Sequence, residues 1–544
     1  MNQIFRTKPL SHVMSDSEGG ERLKRVLGPW SLTALGVGAI IGTGIFVLVG
    51  QAARDITGPS LMLSFVVAGA ACIFAALCYA EFASMAPVAG SAYTYAYLTL
   101  GELMAWIIGW DLILEYAVAS CTVAHGWSKY LGKLLAMMSL AVPGEVHEAP
   151  FSIHPNTGEV MRGHVEKLKG ENKSDLKTPK LDASGNKMLD SSGKELQVFV
   201  LKKDLAGAEV ISHTYLDLPA LLISLAITLI LVKGIKESAW FNGLMVAIKV
   251  SVVLLVIGVG AFYVDPKNWN NFAPFGLGGM SFFGVWTWGE LRPNGLPRGM
   301  LAGAAMIFFA YLGFDAVSTN AEEAKNPKRD LPIGIIGSLL VCTVLYIAVA
   351  GVLTGMVPYD QIDKDAPIAD AFARLDLPWF TALIIVGAVT GITSVLLVMM
   401  LGQARIFLAM ARDGLMPKAL THVHPTFKTP IWATLLTGLL VSLGGSLLPL
   451  DILADLTSIG TLFAFVVVCA AVLVLRITQP DAPRAFKAPL GMVTPILGIL
   501  LCLLLMFSLS WENWARLIIW LLVGLCFYFS YGVWHSKLRT RNTP

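Results

Sequence analysis

Apolar runs of roughly 20 residues, separated by short polar connections, recur along almost the whole chain. A helix of that length spans a hydrocarbon core about 30 Å thick. Twelve such runs can be marked, at 30–55, 60–84, 102–134, 215–233, 239–264, 298–322, 332–357, 378–411, 430–449, 452–477, 490–509 and 513–535. They are continuous and do not alternate residue by residue, which argues against a transmembrane barrel. The pattern therefore predicts an all-α polytopic membrane protein. Spans 1–3 occupy 30–140, spans 4–10 occupy 214–477, and spans 11–12 occupy 478–535.

The polar stretches orient these spans. "ERLKR" (21–25), "KGIKE" (233–237), "KNPKRD" (325–330), "RDGLMPK" (412–418), "RAFK" (484–487) and "HSKLRTR" (535–541) fall on one side, and the acidic "YDQIDKD" (359–365) on the other. Basic loops stay in the cytoplasm, so the N-terminal segment 1–29 and the tail 536–544 are expected there, in an inner cell membrane. Segment 1–29 has no apolar core of a signal peptide, and span one is expected to be retained.

Composition agrees: 55% of residues are hydrophobic and 14% charged, against about 25% charged in soluble domains. The net charge of +3 gives no reason to expect a nucleic-acid partner. All seven cysteines lie in apolar runs and read as core residues. Residues 141–213 break the rhythm, with 10 Lys/Arg against 11 Asp/Glu. This reads as a solvated outer insertion, because long loops translocate largely regardless of charge. Its "LDASGNKMLDSSGKELQVFV" (181–200) carries a repeated Asp-x-Ser-Gly turn that suggests one or two β-hairpins. Four of the nine histidines (147, 154, 164 and 213) are here, but their spacing fits no metal-ligand pattern. No metal and no cofactor is expected.

Candidate chemistry enters with two interruptions. "GAIIGTGIF" (38–46) puts three glycines in the middle of span one, where each costs about 0.8–1 kcal/mol against Ala. Unwound chain at mid-depth is tolerated only where it lines a protein cavity. Such a break exposes amides, and the following half-helix presents its positive N-terminal end. Gly42 and Gly44 would let a ligand approach the backbone, Thr43 would add a hydroxyl, and the ligand this suits is a carboxylate. Close helix packing by small residues would explain the same glycines. A second interruption in the other half favours the binding reading. "IFFAYLGFDAVSTN" (307–320) supplies it in span six, with Gly313 and an intramembrane Asp315. Carbonyls of Phe309, Ala310 and Leu312 would suit an ammonium group. One anion-binding and one cation-binding break describe a receptacle for an α-amino acid.

These two stretches, with "YAEFASMAPVAGSAYTYAY" (79–97), "FFAYLGFDAVSTNAEEAKNPKRDLPIGI" (308–335) and "GQARIFLAMARDGLMP" (402–417), resemble the amino acid–polyamine–organocation superfamily, and within it the twelve-helix bacterial cationic amino acid transporter family. The resemblance covers nearly all the chain except 141–213 and 275–297. It implies a leucine-transporter-like fold, with spans 1–5 and 6–10 as inverted repeats and helices 1 and 6 broken. It implies a substrate carboxylate at the backbone of Ile40, Ile41, Gly42, Thr43 and Gly44, and a substrate amino group at the carbonyls of Phe309, Ala310 and Leu312. It leaves room for a single-span helper subunit.

Lys249 lies about midway through span five, "NGLMVAIKVSVVLLVIGVGAF", too deep to snorkel easily. A lysine buried there can gain and lose a proton. In sodium-coupled relatives an ion bridges spans one and eight, and in proton-coupled ones a lysine ammonium takes its place. By that resemblance Lys249 would contact carbonyls near Gly38 and Ile41, and Thr393 or Ser394, favouring protons as the coupling ion. Glu115 and Asp315 are further candidate proton sites. Asp111, one turn before Glu115, reads as solvated near the cytoplasmic end. Glu81 reads as a structural salt bridge, and His125 as a satisfied core residue.

Met399 stands where, by resemblance, vertebrate cationic carriers have a small serine. It would fill the distal pocket and remove polarity, favouring small or medium neutral amino acids such as alanine over arginine. The chain thus reads as a proton-coupled secondary permease. An amino acid exchanger, a carrier of arginine or lysine, and a non-transporting sensor remain alternatives. No His-Glu-x-x-His, Gly-x-Ser-x-Gly or phosphate-binding loop is present, which argues against an enzyme and against ATP-driven transport.

Overall fold

The computed structural model describes residues 6–8, 27–85, 91–140, 143, 146–153, 160–162, 164–167, 176–179, 197–200, 209–212, 214–234, 239–282, 285–292 and 296–540. Helix α1 (Pro29–Ile40) enters behind Gly28 with Pro at its first position, where a missing N–H is harmless. After a break, π and α turns over Gly44–Thr57 lead to α2 (Leu61–Met85). Short α3 (Ser91–Thr99) and the 36-residue α4 (Glu102–Met137) follow. Beyond the insertion come α5 (Leu218–Lys233), N-capped by the Asp217 side chain on Ala220 N, and α6 (Ala239–Gly260). The second half opens with α7 (Met300–Ile307), then α8 (Pro327–Met356), the short α9 (Pro367–Ala373) and α10 (Pro378–Arg412). Helices α11 (Ile431–Leu447), α12 (Leu450–Thr478), α13 (Val493–Met506) and α14 (Trp511–Phe527) complete the chain.

Among the described residues, eight helical segments are long and apolar enough to cross a membrane, and four shorter apolar helices accompany them. The segment Gly44–Met85 runs on for 42 residues, so the second half of the first expected span continues into the second through a turn at Gly58, whose φ is +63°. Helices α5, α6, α11 and α14 expose mainly Leu and Ile along one flank, the composition of a surface that meets lipid. The centre is filled by the two broken segments, enclosed by α2, α4, α8, α10 and α12. Six of the seven cysteines are buried and all seven are free.

Among the described residues, the stretch 141–213 carries three antiparallel pairs. They are β1 (Phe151–Ile153) with β2 (Val160–Arg162), β3 (His164–Lys167) with β6 (Glu209–Ser212), and β4 (Leu176–Pro179) with β5 (Gln197–Val200). The turn repeat within 181–196, and His154 and His213, lie outside the described residues. Between α6 and α7 the aromatic stretch folds into a further hairpin, β7 (Met280–Phe282) and β8 (Val285–Trp288). Interfacial rings alone do not account for it: Gly278, Gly289 and Gly299 bring its backbone within van der Waals contact of itself.

Candidate functional site: two broken helices and a buried lysine

Helix α1 ends where Ile41 turns extended (φ −71°, ψ 100°), and helix resumes from Gly44. The facing break begins after α7. A 3₁₀ turn over Phe308–Tyr311 ends at Leu312 (ψ 141°), Gly313 takes φ +111°, and a second 3₁₀ segment runs over Asp315–Glu323. Glycine is required at both crossings. A Cβ on Gly44 would lie 2.4 Å from Ala310 Cα, and one on Gly313 would lie 2.8 Å from Ala39 O. The two unwound segments are in backbone contact.

Their freed carbonyls find donors, most of them side chains, as an apolar interior requires. The Tyr346 hydroxyl, from α8, is 2.9 Å from Ile40 O and 3.0 Å from Ala310 O, tying the breaks together. Tyr130, from α4, donates to Phe46 O at 2.7 Å. Phe309 O accepts from Leu312 N at 3.2 Å. Lys249, fully buried, donates to Gly38 O at 2.6 Å and Ile41 O at 3.2 Å. The backbone of α10 lies flat on its stem, because a Cβ on Gly391 would sit 3.4 Å from Lys249 Cβ.

Thr393 and Ser394 lie on that same helix, with their hydroxyls engaged elsewhere. Thr393 donates to Val389 O and accepts from Trp127 Nε1, while Ser394 donates to Gly391 O. The Thr43 hydroxyl is buried and has no partner among the described residues. It faces α4 at Gly126, where a Cβ would meet Thr43 Cγ2 at 2.3 Å.

Met399 is buried on α10. Its i−4 neighbour Val395 touches Gly42, and its i+3 neighbour Gly402 accommodates the Tyr116 ring. Spacing of three and four places all three on one face, so Met399 stands between the first break and a buried acidic cluster. In that cluster Tyr116 donates to Asp315 Oδ2 at 2.6 Å. Glu115 Oε2, both Asp111 oxygens and the Gln403 amide are buried without partners among the described residues. Asp111 is therefore not solvated as expected: it is fully buried, with Gly460 of α12 beside it. The helix continues past it to Glu102, whose carboxylate is held by Tyr97, Tyr528 and Ser536.

Contacts join distant elements at both ends of the central region. On the insertion side Arg54 donates to Ile362 O at 2.9 Å, and Lys364 pairs with Asp55 at 2.5 Å. Lys129 there lies between Glu148 (2.5 Å) and Asp365 (3.3 Å). Burial alone would raise the Asp365 carboxyl, but Lys129 reverses this and leaves it below the ordinary carboxylate range. At the other end Leu27 bridges Ala324, with Lys325 N donating to Leu27 O at 2.8 Å. Glu81 is locked by Arg476, by Arg484 at 3.2 Å and by Ala488 N. His125 Nδ1 lies 3.3 Å from Asp217 Oδ2, so this core histidine has a carboxylate neighbour. Among the described residues, no cluster of His, Cys, Asp or Glu has the grouping of a metal site.

Sequence reasoning missed Tyr346, Tyr130 and Trp127. The available signal was a polar tip in an apolar run, since a buried hydroxyl or indole N–H needs an acceptor.

The match to an amino acid permease family covers residues 27–527. The chain belongs to that family, and with it to the amino acid–polyamine–organocation superfamily. It is 45% identical to the branched-chain amino acid permease BcaP of Bacillus subtilis (strain 168), over 98% of this chain and 99% of that protein. It is 40% identical to the methylthioribose transporter of the same organism, over 99% and 100%. It is 34% identical to cationic amino acid transporter 4, vacuolar, of Arabidopsis thaliana, over 88% and 68%. These relatives are transporters and not enzymes, and the chain is a multi-pass membrane permease.

Proposed function

We propose that this permease carries neutral L-amino acids into the cell by alternating access, coupled to protons. The reading takes the twelve apolar segments as twelve spans in two inverted five-helix repeats, with both termini cytoplasmic and 141–213 outside. The substrate carboxylate would meet the Ile40–Gly44 backbone and its amino group the carbonyls of Phe309, Ala310 and Leu312. Met399 would bound the side-chain pocket. Alanine is the first candidate. Leucine, isoleucine and valine join it because a relative 45% identical is named a branched-chain permease.

One observation carries the coupling: the Lys249 ammonium at 2.6 and 3.2 Å from two carbonyls of the broken helix. A neutral amine has fewer donors and a weaker hold, so proton loss would loosen α1 from α6 and bias the conformational equilibrium. Glu115 and Asp315 would serve as a second proton site, below the first break.

The test is uptake of labelled alanine and leucine into proteoliposomes in sodium-free buffer, with and without an inward proton gradient. Wild type is expected to accumulate substrate, and Lys249→Ala to lose gradient-driven accumulation. Rapid flux only into vesicles preloaded with amino acid would favour the exchanger and return Lys249 to a structural role.

A further inference from the structure

Where α8 begins, its outward face and the connection between α12 and α13 enclose a groove of about 500 Å³. Its rim carries Lys328 and Arg329, and its floor runs along Ile333, Ile336, Gly337 and Leu340. Positions 333, 336/337 and 340 repeat at three- and four-residue spacing, so the floor is one straight apolar strip leading away from the two cations. Ala485 and Phe486 form the opposite wall. That wall is fixed: Phe486 N donates to Ser84 Oγ at 3.1 Å, and the neighbouring Arg484 is held by Glu81.

Lys328 and Arg329 are exposed, and neither has an ion pair among the described residues. The adjacent acid does not neutralise them. Asp330 is buried and accepts from Asn326 N at 3.0 Å. Lys325 and Lys487, both exposed, add to the same local positive field. A solvated basic face would need no groove, and an ordinary lipid-facing flank would be convex and uncharged. Here a concave apolar strip ends at two exposed cations that have no ion pair among the described residues.

We propose that this groove is a binding site for one anionic phospholipid, its phosphate between Lys328 and Arg329 and one acyl chain along Ile333–Leu340. The class follows from the chemistry: a fixed negative charge joined to a chain that must lie in hydrocarbon. The orientation proposed above would put this lipid in the inner leaflet, but the binding itself does not depend on which side this end faces. The site also has a route to the transport machinery. The same stretch of α8 packs its glycines closely against side chains of α1: a Cβ on Gly334 would lie 2.7 Å from Leu32 Cβ, and one on Gly337 3.2 Å from Thr33 Oγ1. A lipid seated here braces the helix against which the first broken segment rests.

The test uses the full-length protein, purified in detergent, stripped of lipid and titrated with dioleoyl-phosphatidylglycerol or dioleoyl-phosphatidylcholine, with bound lipid counted by native mass spectrometry. Inorganic phosphate serves as competitor. Wild type is expected to hold one phosphatidylglycerol at least tenfold more tightly than phosphatidylcholine. Lys328→Gln with Arg329→Gln should weaken that site about thirtyfold, as two interfacial charges would. Ala485→Trp keeps both charges but fills the groove, and should also lose the site. This second variant reads out the proposal if the first fails to fold. Unchanged phosphatidylglycerol binding in the variants, equal affinity for phosphatidylcholine, or displacement by millimolar inorganic phosphate would each overturn it. The readout involves no transport, so its failure is separable from failure of the proposed substrate and coupling.

Discussion

Single side chains decide how two interrupted helices stay interrupted. Tyr346 supplies one hydroxyl to two carbonyls, Ile40 O and Ala310 O, from different halves of the chain. Removing a buried donor costs about 1–3 kcal/mol. Tyr346→Phe should therefore fold and reach the membrane but loosen the register of the two breaks. We expect its KM for alanine to rise about tenfold, with a fall of a few degrees in thermal midpoint. A fall in midpoint with an unchanged KM would show the tyrosine to be a packing residue only. In the proposed site, Met399 would act by volume and polarity at the far end of the pocket. Met399→Ser is expected to shift the ratio of arginine to alanine uptake upward by about tenfold, the scale of one or two methylenes in a pocket. An unchanged profile would remove it from the specificity argument. Among these residues Lys249 was legible from sequence because an ammonium in mid-span must have a reason. Tyr346 was less so, because a tyrosine in an apolar run is unremarkable until its acceptors are known.

At the scale of elements, the breaks are backbone features, and glycine is where the sequence betrays them. Gly313 combines φ +111° with a Cβ position 2.8 Å from Ala39 O. Alanine there would carry strain of about 1–3 kcal/mol and push the second break off the first. Gly313→Ala should lose at least nine-tenths of uptake while still expressing, and substrate-induced thermal stabilisation should vanish with it. Retained uptake would mean that the contact between the breaks is incidental. The β segment within 141–213 had a weaker signature. Turn repeats suggested hairpins, but which strands pair depends on long-range register. The pairing of β3 with β6 spans more than forty residues, beyond what a local pattern encodes.

For the whole molecule, stability draws on charges that join distant elements. Glu81 lies near the end of α2, and the groups that satisfy it come from α12 and the connection beyond it. Breaking a buried pair by removing one partner costs about 3–5 kcal/mol. Glu81→Ala should lower the thermal midpoint in detergent by several degrees, and Arg476→Met with Glu81→Met together should recover part of the loss. No recovery in the double variant would show that packing, and not the ion pair, sets the cost. The insertion is tied in the same way. Lys129 holds Glu148 from the segment entering it and Asp365 from the connection before α9, so the contacts at this end include a residue of the insertion itself.

The sequence by itself determined that this protein lives in a membrane, roughly where its spans lie, and that two of them are broken. Hydrocarbon permits few exceptions: long apolar runs must be helical there, and three glycines or a lone carboxylate at mid-depth must be compensated. Only the tertiary structure decided what compensates them. The breaks touch each other at Gly44 and Ala310, tyrosines from α4 and α8 satisfy their carbonyls, and Asp111 is buried where its position along the helix suggested water. Each of these depends on neighbours far away in the chain, brought close by helix packing. No local pattern records which side chain will be the one within 3 Å.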